Sequence, residues 1–246
     1  MKRKVGLGLV LALIAISLPA PVAVGQGQVK VDVCHFVDEY WDFSAGDEEY
    51  GVIISIADTA YDAHLAHGDP AGWVRAYLPD GREVCRKGWY VFATSEKFTG
   101  DLMGVEGADG ICEALAAAAG LPGEYMAWIA TNYWDDPESR FKKTDLPYAL
   151  VDGTLIADGW SDLVDGTLTN PIMKDEYGEV VSGWGVWTNV EPNGASLSME
   201  DCSNWSLSTS VRGRIGHNRL VDGRWTSIRD RSCDITARLY CFQQSD

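Results

Sequence analysis

Hydrophobic and polar positions change period several times along the chain, and each change predicts an element. Residues 5–18 are apolar apart from Gly and one Ser, and they follow Lys2, Arg3 and Lys4. A basic start, a short apolar run and small residues at 20–25 predict a secretory signal peptide over 1–25, too short to span a bilayer stably. Alternation over 29–33 and the β-branched run Val52, Ile53, Ile54 and Ile56 predict strands at 29–33 and 50–57. Asp58-Thr59-Ala60 predicts the cap of a short helix ending at Gly68. Pro79-Asp80-Gly81 reads as a turn, and Cys85 closes the segment.

A second unit begins at Gly88. Aromatic and β-branched content makes 89–94 (WYVFAT) a strand. Ile111, Cys112, Leu115 and Ala118-Ala119 recur at helical spacing and predict a helix over 107–119, stopped by Gly120 and Pro122. Further strands are expected at 125–131, 184–188 and 238–242. Between them lie turn signals: Asp135-Asp136-Pro137, Asp152-Gly153, Asp158-Gly159 and Asp165-Gly166. One early helix followed by short strands and long loops predicts an α+β domain over 87–246. A small Cys/His-containing module over 26–86 precedes it.

Charge narrows the function. Against 20 basic side chains stand 36 acidic ones, a formal charge of −16. Loss of Lys2, Arg3 and Lys4 with the leader would take this to about −19. Nucleic-acid binding needs a basic footprint, so it is excluded, and anionic lipid would repel the chain. No second apolar stretch approaches membrane-spanning length, so membrane insertion is not expected. With 46% hydrophobic residues and 10 Trp, the chain can bury a real core.

Cysteine use points to the same compartment. An even count of 6 in an exported chain reads as a disulfide framework. Six Cys allow 15 pairings, and the spacings do not choose among them. None of the spacings is C-x-x-C, which gives little support to a zinc ribbon or a redox pair. The expected location is secreted, at the cell surface or extracellular, with the periplasm as an alternative.

Several collinear segments carry a family resemblance. They are YVFATSEKFTGDLMGVEGADGICEALAAAAGLPGEYMAWIA (90–130), SRF (139–141), PYALVDGTLIADGWSDLVDGTL (147–168), WTN (187–189), DCSNWS (201–206) and RLYCFQ (238–243). Residues 88–246 resemble the bacterial C-type-lectin-fold domain, often described as endostatin-like, of leptospiral surface adhesins and other exported proteins. The resemblance implies a C-type-lectin-like fold with a long, loop-rich ligand face. It also implies the pairs Cys112–Cys241 and Cys202–Cys233, which leaves Cys34–Cys85 to close the N-terminal module.

Two metal sites are candidates. Glu191-Pro192-Asn193 and Glu200-Asp201-Cys202 resemble the EPN and EDC elements of calcium-dependent lectins, in which a cis-Pro turns oxygen ligands onto one Ca²⁺. Glu191, Asn193 and Glu200 are thus calcium and sugar candidates. Those lectins take further ligands from a Trp-Asn-Asp triplet, whereas here Trp225 precedes Thr226 and Ser227, with Asp230 three residues further on. In the N-terminal module, His35 follows Cys34, and His64, His67 and Asp69 form an H-x-x-H-G-D element. Imidazoles and a carboxylate suit zinc. Histidines satisfied by hydrogen bonds at a helix end are the plainer alternative.

Trp134 and Trp184 are the exposed-aromatic candidates for ligand contact, whereas Trp128, Trp160, Trp187, Trp205 and Trp225 read as core. Arg212, Arg214, Arg219, Arg224, Arg229, Arg231 and Arg238 gather near the end, either as a docking patch or as balance for nearby acids. No G-x-S-x-G, H-E-x-x-H or P-loop is present. The sequence therefore reads as a non-catalytic binding protein for an extracellular protein or glycan. A calcium-dependent lectin and an extracellular hydrolase are the alternatives.

Overall fold

The computed structural model describes residues 30–36, 50–66, 69, 72–77, 81–131 and 135–245. The expected signal peptide, His67, Trp134 and the Pro79-Asp80 part of the first turn lie outside these residues.

The first four strands form two antiparallel hairpins: β1 (Lys30–His35) with β2 (Val52–Ala57), and β3 (Trp73–Tyr77) with β4 (Glu83–Lys87). Helix α1 (Tyr61–Ala66) lies between the hairpins and follows a 3-10 turn. The hairpin of β3 and β4 was not anticipated. Trp73 and Val74 are adjacent and both buried, and Arg75 follows, so no clean two-residue period marks the strand.

A five-stranded sheet organises the rest. In spatial order it runs β6 (Tyr125–Ala127), β12 (Tyr240–Gln243), β5 (Trp89–Ala93), β7 (Tyr148–Ala149) and β8 (Leu155–Ala157). Strand β5 is buried at every position because both faces of the sheet are covered. Tyr90 and Phe92 enter one core cluster with Cys34, Trp73, Cys85 and helix α2 (Gly104–Ala118). Trp89, Val91 and Ala93 enter the other with Trp128, Trp225, Tyr240 and Phe242. This alternation is the period of a strand. Helix α2 buries Val105, Ala108, Cys112 and Ala116, one stripe down its face. Two single-turn helices, α3 (Pro137–Arg140) and α4 (Trp160–Leu163), punctuate the chain before a three-stranded sheet. That sheet has the order β11 (Arg229–Ser232), β10 (Arg212–His217), β9 (Gly185–Trp187).

Three disulfides close as the resemblance implied: Cys34–Cys85, Cys112–Cys241 and Cys202–Cys233. The molecule is an α+β, disulfide-stapled, C-type-lectin-like fold. Its aromatic hub is Trp128, with Phe141, Trp160, Trp225 and Phe242 at 5.0–6.2 Å between ring centroids. The buried indole N–H of Trp128 donates to Thr226 Oγ1 at 2.7 Å. Trp128, Trp187, Trp205 and Trp225 are fully buried, as expected of core tryptophans, whereas Trp160 is only partly so. The strand expected at 125–131 stops at Ala127; beyond it Trp128 still pairs through its N–H to Tyr240 O, and Ala130 turns to Thr188 O. Among the described residues no helix is long and apolar enough to cross a membrane.

Candidate functional sites

The loop before β9 carries Trp184 to the three-stranded sheet. Its ring stacks on His217 at the end of β10, with centroids 4.8 Å apart and planes 15° from parallel. Strand β11 contributes two arginines two residues apart, and a strand period places both on one side. The Arg229 guanidinium sits 4.5 Å from the Trp184 ring centroid and that of Arg231 6.0 Å from it. Such placements are attractive because the ring face is electron-rich. Beside them lies an open groove of about 410 Å³, lined by Lys97, Trp184, Ile215, Arg231, Ile235 and Ala237 among others.

The arginine cluster of the sequence divides here. Arg214 pairs with Asp230 at 3.0 Å, and Arg224 with Asp222 at 2.6 Å. Arg238 is buried and donates to the carbonyls of Thr94, Ser95 and Ser182. These three are structural, which is the plainer of the two expectations. Among the described residues, Lys97, Arg229 and Arg231 form no ion pair, and they give a −16 chain a cationic groove. His217 lies behind Trp184, and its Nδ1 accepts the Arg219 N–H at 3.2 Å. Burial, then the charges of Arg219, Arg224 and Arg229, hold its pKa below the usual histidine value.

The Glu191 loop closes as a turn. Glu191–Pro192 is trans, since none of the described peptide bonds is cis. Asn193 is exposed, and its Oδ1 accepts the Ala195 N–H at 3.1 Å, an Asx turn. Glu191 closes the same turn through its backbone, its N–H reaching Ala195 O at 2.8 Å. Glu200 is placed by Ser198 Oγ, which accepts its N–H, and Asp230 is committed to Arg214. Neither Glu191 nor Glu200 belongs to a convergent group of three His, Cys, Asp or Glu side chains among the described residues. The Asp-Gly loop serves turns and ion pairs: Asp152 meets Lys174 at 2.6 Å, and Asp158 meets Arg86 at 2.5 Å. Asp165 Oδ1 accepts the Thr167 N–H at 2.8 Å.

In the N-terminal module, tertiary structure brings together residues far apart in sequence. Strand β1 ends at His35, next to the buried Cys34 of the Cys34–Cys85 bond, and α1 carries His64. Asp69 is 6% exposed and ties its backbone N–H to His64 O at 3.2 Å. One oxygen, Asp69 Oδ2, lies 2.9 Å from His35 Nδ1 and 2.8 Å from His64 Nδ1. The other, Oδ1, accepts the Phe36 N–H at 3.0 Å. Burial opposes ionisation of Asp69. The hydrogen bonds from His35, His64 and Phe36 outweigh it, and the carboxyl stays below its ordinary range. The two imidazoles meet edge to face at 5.4 Å. Of the expected set His35, His64, His67 and Asp69, the structure joins His35 and His64 at Asp69, and His67 lies outside the described residues.

No protein-family profile matches the chain. Among curated proteins the chain is similar to the human collagen alpha-1(XVIII) chain, at 24% identity over 170 residues. That match covers 63% of this chain and 10% of the collagen chain, so the likeness concerns a small part of a much longer protein. With the three disulfides, it agrees with an endostatin-like variant of the C-type-lectin-like fold.

Proposed function

We propose that this is an exported, non-catalytic binding protein that recognises an extracellular protein or glycan through the groove beside Trp184. The observation that carries this reading is a groove lined by Trp184, Lys97 and Arg231 on a strongly acidic protein. Lys97 and Arg231 line it, and Arg229 lies over the same indole, so it favours a partner bearing carboxylate, sulfate or phosphate groups. Three disulfides suit an oxidising compartment, and the likeness to a collagen chain supports a binding role outside the cell. The calcium-dependent reading draws little from the Glu191 loop, because Asn193 and Asp230 are committed elsewhere. The test is an array of acidic and neutral glycans and matrix proteins probed at rising ionic strength. Retention on acidic partners that weakens with salt is expected. Exclusive binding to neutral sugars, lost on chelation, would overturn the reading.

A further inference from the structure

We propose that His35, His64 and Asp69 form a binding site for a zinc-class divalent cation, independent of the groove beside Trp184. Among the described residues this is the one place where three metal-ligating side chains converge, with ligand-capable atoms all within 4.8 Å of one another. The donor set decides the class of ion. Two imidazoles and one carboxylate suit zinc and its first-row neighbours, whereas calcium and magnesium take oxygen shells.

The carboxylate already sits close to both imidazoles. At usual zinc bond lengths, tetrahedral donors sit about 3.3 Å apart. The Nδ1 to Oδ2 separations here are 2.9 and 2.8 Å, about half an ångström short of that, and all the ligand atoms lie within 4.8 Å of one another. The scaffold itself holds the set in place. His35 is fixed by the neighbouring disulfide and by its pairing with Val52, and Asp69 is fixed by Phe36 N–H and His64 O. Orientation of ligands by such outer contacts is a recurring feature of metal sites. Among the described residues three side chains supply donors, and a tetrahedral ion takes four.

The test uses the full chain, stripped with a chelator and titrated with ZnCl₂ against a chromophoric competitor, while NMR follows the histidine ring signals. Saturable binding of one equivalent is expected, with the rings of His35 and His64 shifting and that of His217 unmoved. His64→Ala should weaken binding by about 100-fold or more. Absence of saturable binding, or unchanged affinity in folded His35→Ala and His64→Ala proteins, overturns the proposal. Should those variants fail to fold, the ring shifts of the unmodified protein decide: zinc that leaves His35 and His64 unmoved also overturns it.

Discussion

Trp184 stacks on His217, with ring centroids 4.8 Å apart and planes 15° from parallel, and this contact anchors the cationic groove. The stack joins the loop before β9 to the end of β10, and Asn218 N–H to Trp184 O at 3.2 Å reinforces it. Arg229 and Arg231 then reach the same indole from β11. One aromatic ring thereby joins three stretches of chain, with both charges coming from β11.

This packing makes stability respond to pH. His217 is held below the ordinary histidine value, first by burial and then by Arg219, Arg224 and Arg229. As pH falls, the unfolded chain takes up the proton before the folded one does. The contribution of neutral His217 is therefore complete above about pH 6.5 and is lost as pH drops from there through the folded value. An NMR titration should place the His217 midpoint below about 6.5, and His217→Gln should flatten the fall in Tm over this window. A midpoint at or above the ordinary value would contradict the assignment.

Residues 202–205 make a left-handed turn, with φ of 53°, 60°, 59° and 55° at Cys202, Ser203, Asn204 and Trp205. Such backbone costs an L-residue about 1–2 kcal/mol, and glycine avoids most of that cost while losing some chain entropy. Ser203 is exposed, so its side chain contributes little packing. Ser203→Gly should stabilise the protein by about 0.5–1 kcal/mol in chemical denaturation. A loss of stability would mean that the strain is relieved in another way.

Much of the scaffold was legible in the sequence for a definite reason. The helix at 107–119 and the strand at 89–94 carry periods that burial imposes, and both appear within a few residues of their expected bounds. Strands β10 and β11 were invisible because glycines interrupt RGRIGH and RDRS is polar throughout. Gly213 is small for a tertiary reason: a Cβ there would lie 2.5 Å from Cys202 Sγ. The sites were legible only as residue types. His35 meets His64 and Asp69 because β1 and α1 pack together, and no local period encodes that meeting. Likewise the sequence marks Trp184 as an exposed aromatic, whereas it is half-buried against the core, and its partners Arg229 and His217 come from strands that sequence did not show.

Gly153 joins the N-terminal hairpins to the lectin-like sheet. Its φ is +81°, and a Cβ there would come 2.4 Å from Trp73 Cζ3, while its carbonyl accepts the Arg75 N–H at 2.9 Å. Gly153→Ala combines left-handed strain with displacement of a buried indole and should cost about 2 kcal/mol or more. Urea denaturation measures this, and a change under about 0.5 kcal/mol would show that the Trp73 contact is dispensable.

The disulfides should rank by the loops they close, with sequence separations of 129, 51 and 31 residues. Chain entropy assigns Cys112–Cys241 about 5 kcal/mol and each of the other two about 4 kcal/mol. Paired Cys→Ala replacements compared by denaturation should show the largest loss at Cys112–Cys241. A larger loss at Cys202–Cys233 would indicate that packing around the left-handed turn dominates the chain-entropy effect.

The central claim is that the Trp184 groove, and not the Glu191 loop, meets the partner. The most direct measurement is binding to an acidic glycan and matrix-protein array by the unmodified chain, by Arg229→Glu/Arg231→Glu and by Glu191→Gln, each with and without chelator. The account predicts that charge reversal abolishes retention while Glu191→Gln and chelation leave it intact. Retention that survives charge reversal but disappears with chelator or with Glu191→Gln would contradict it.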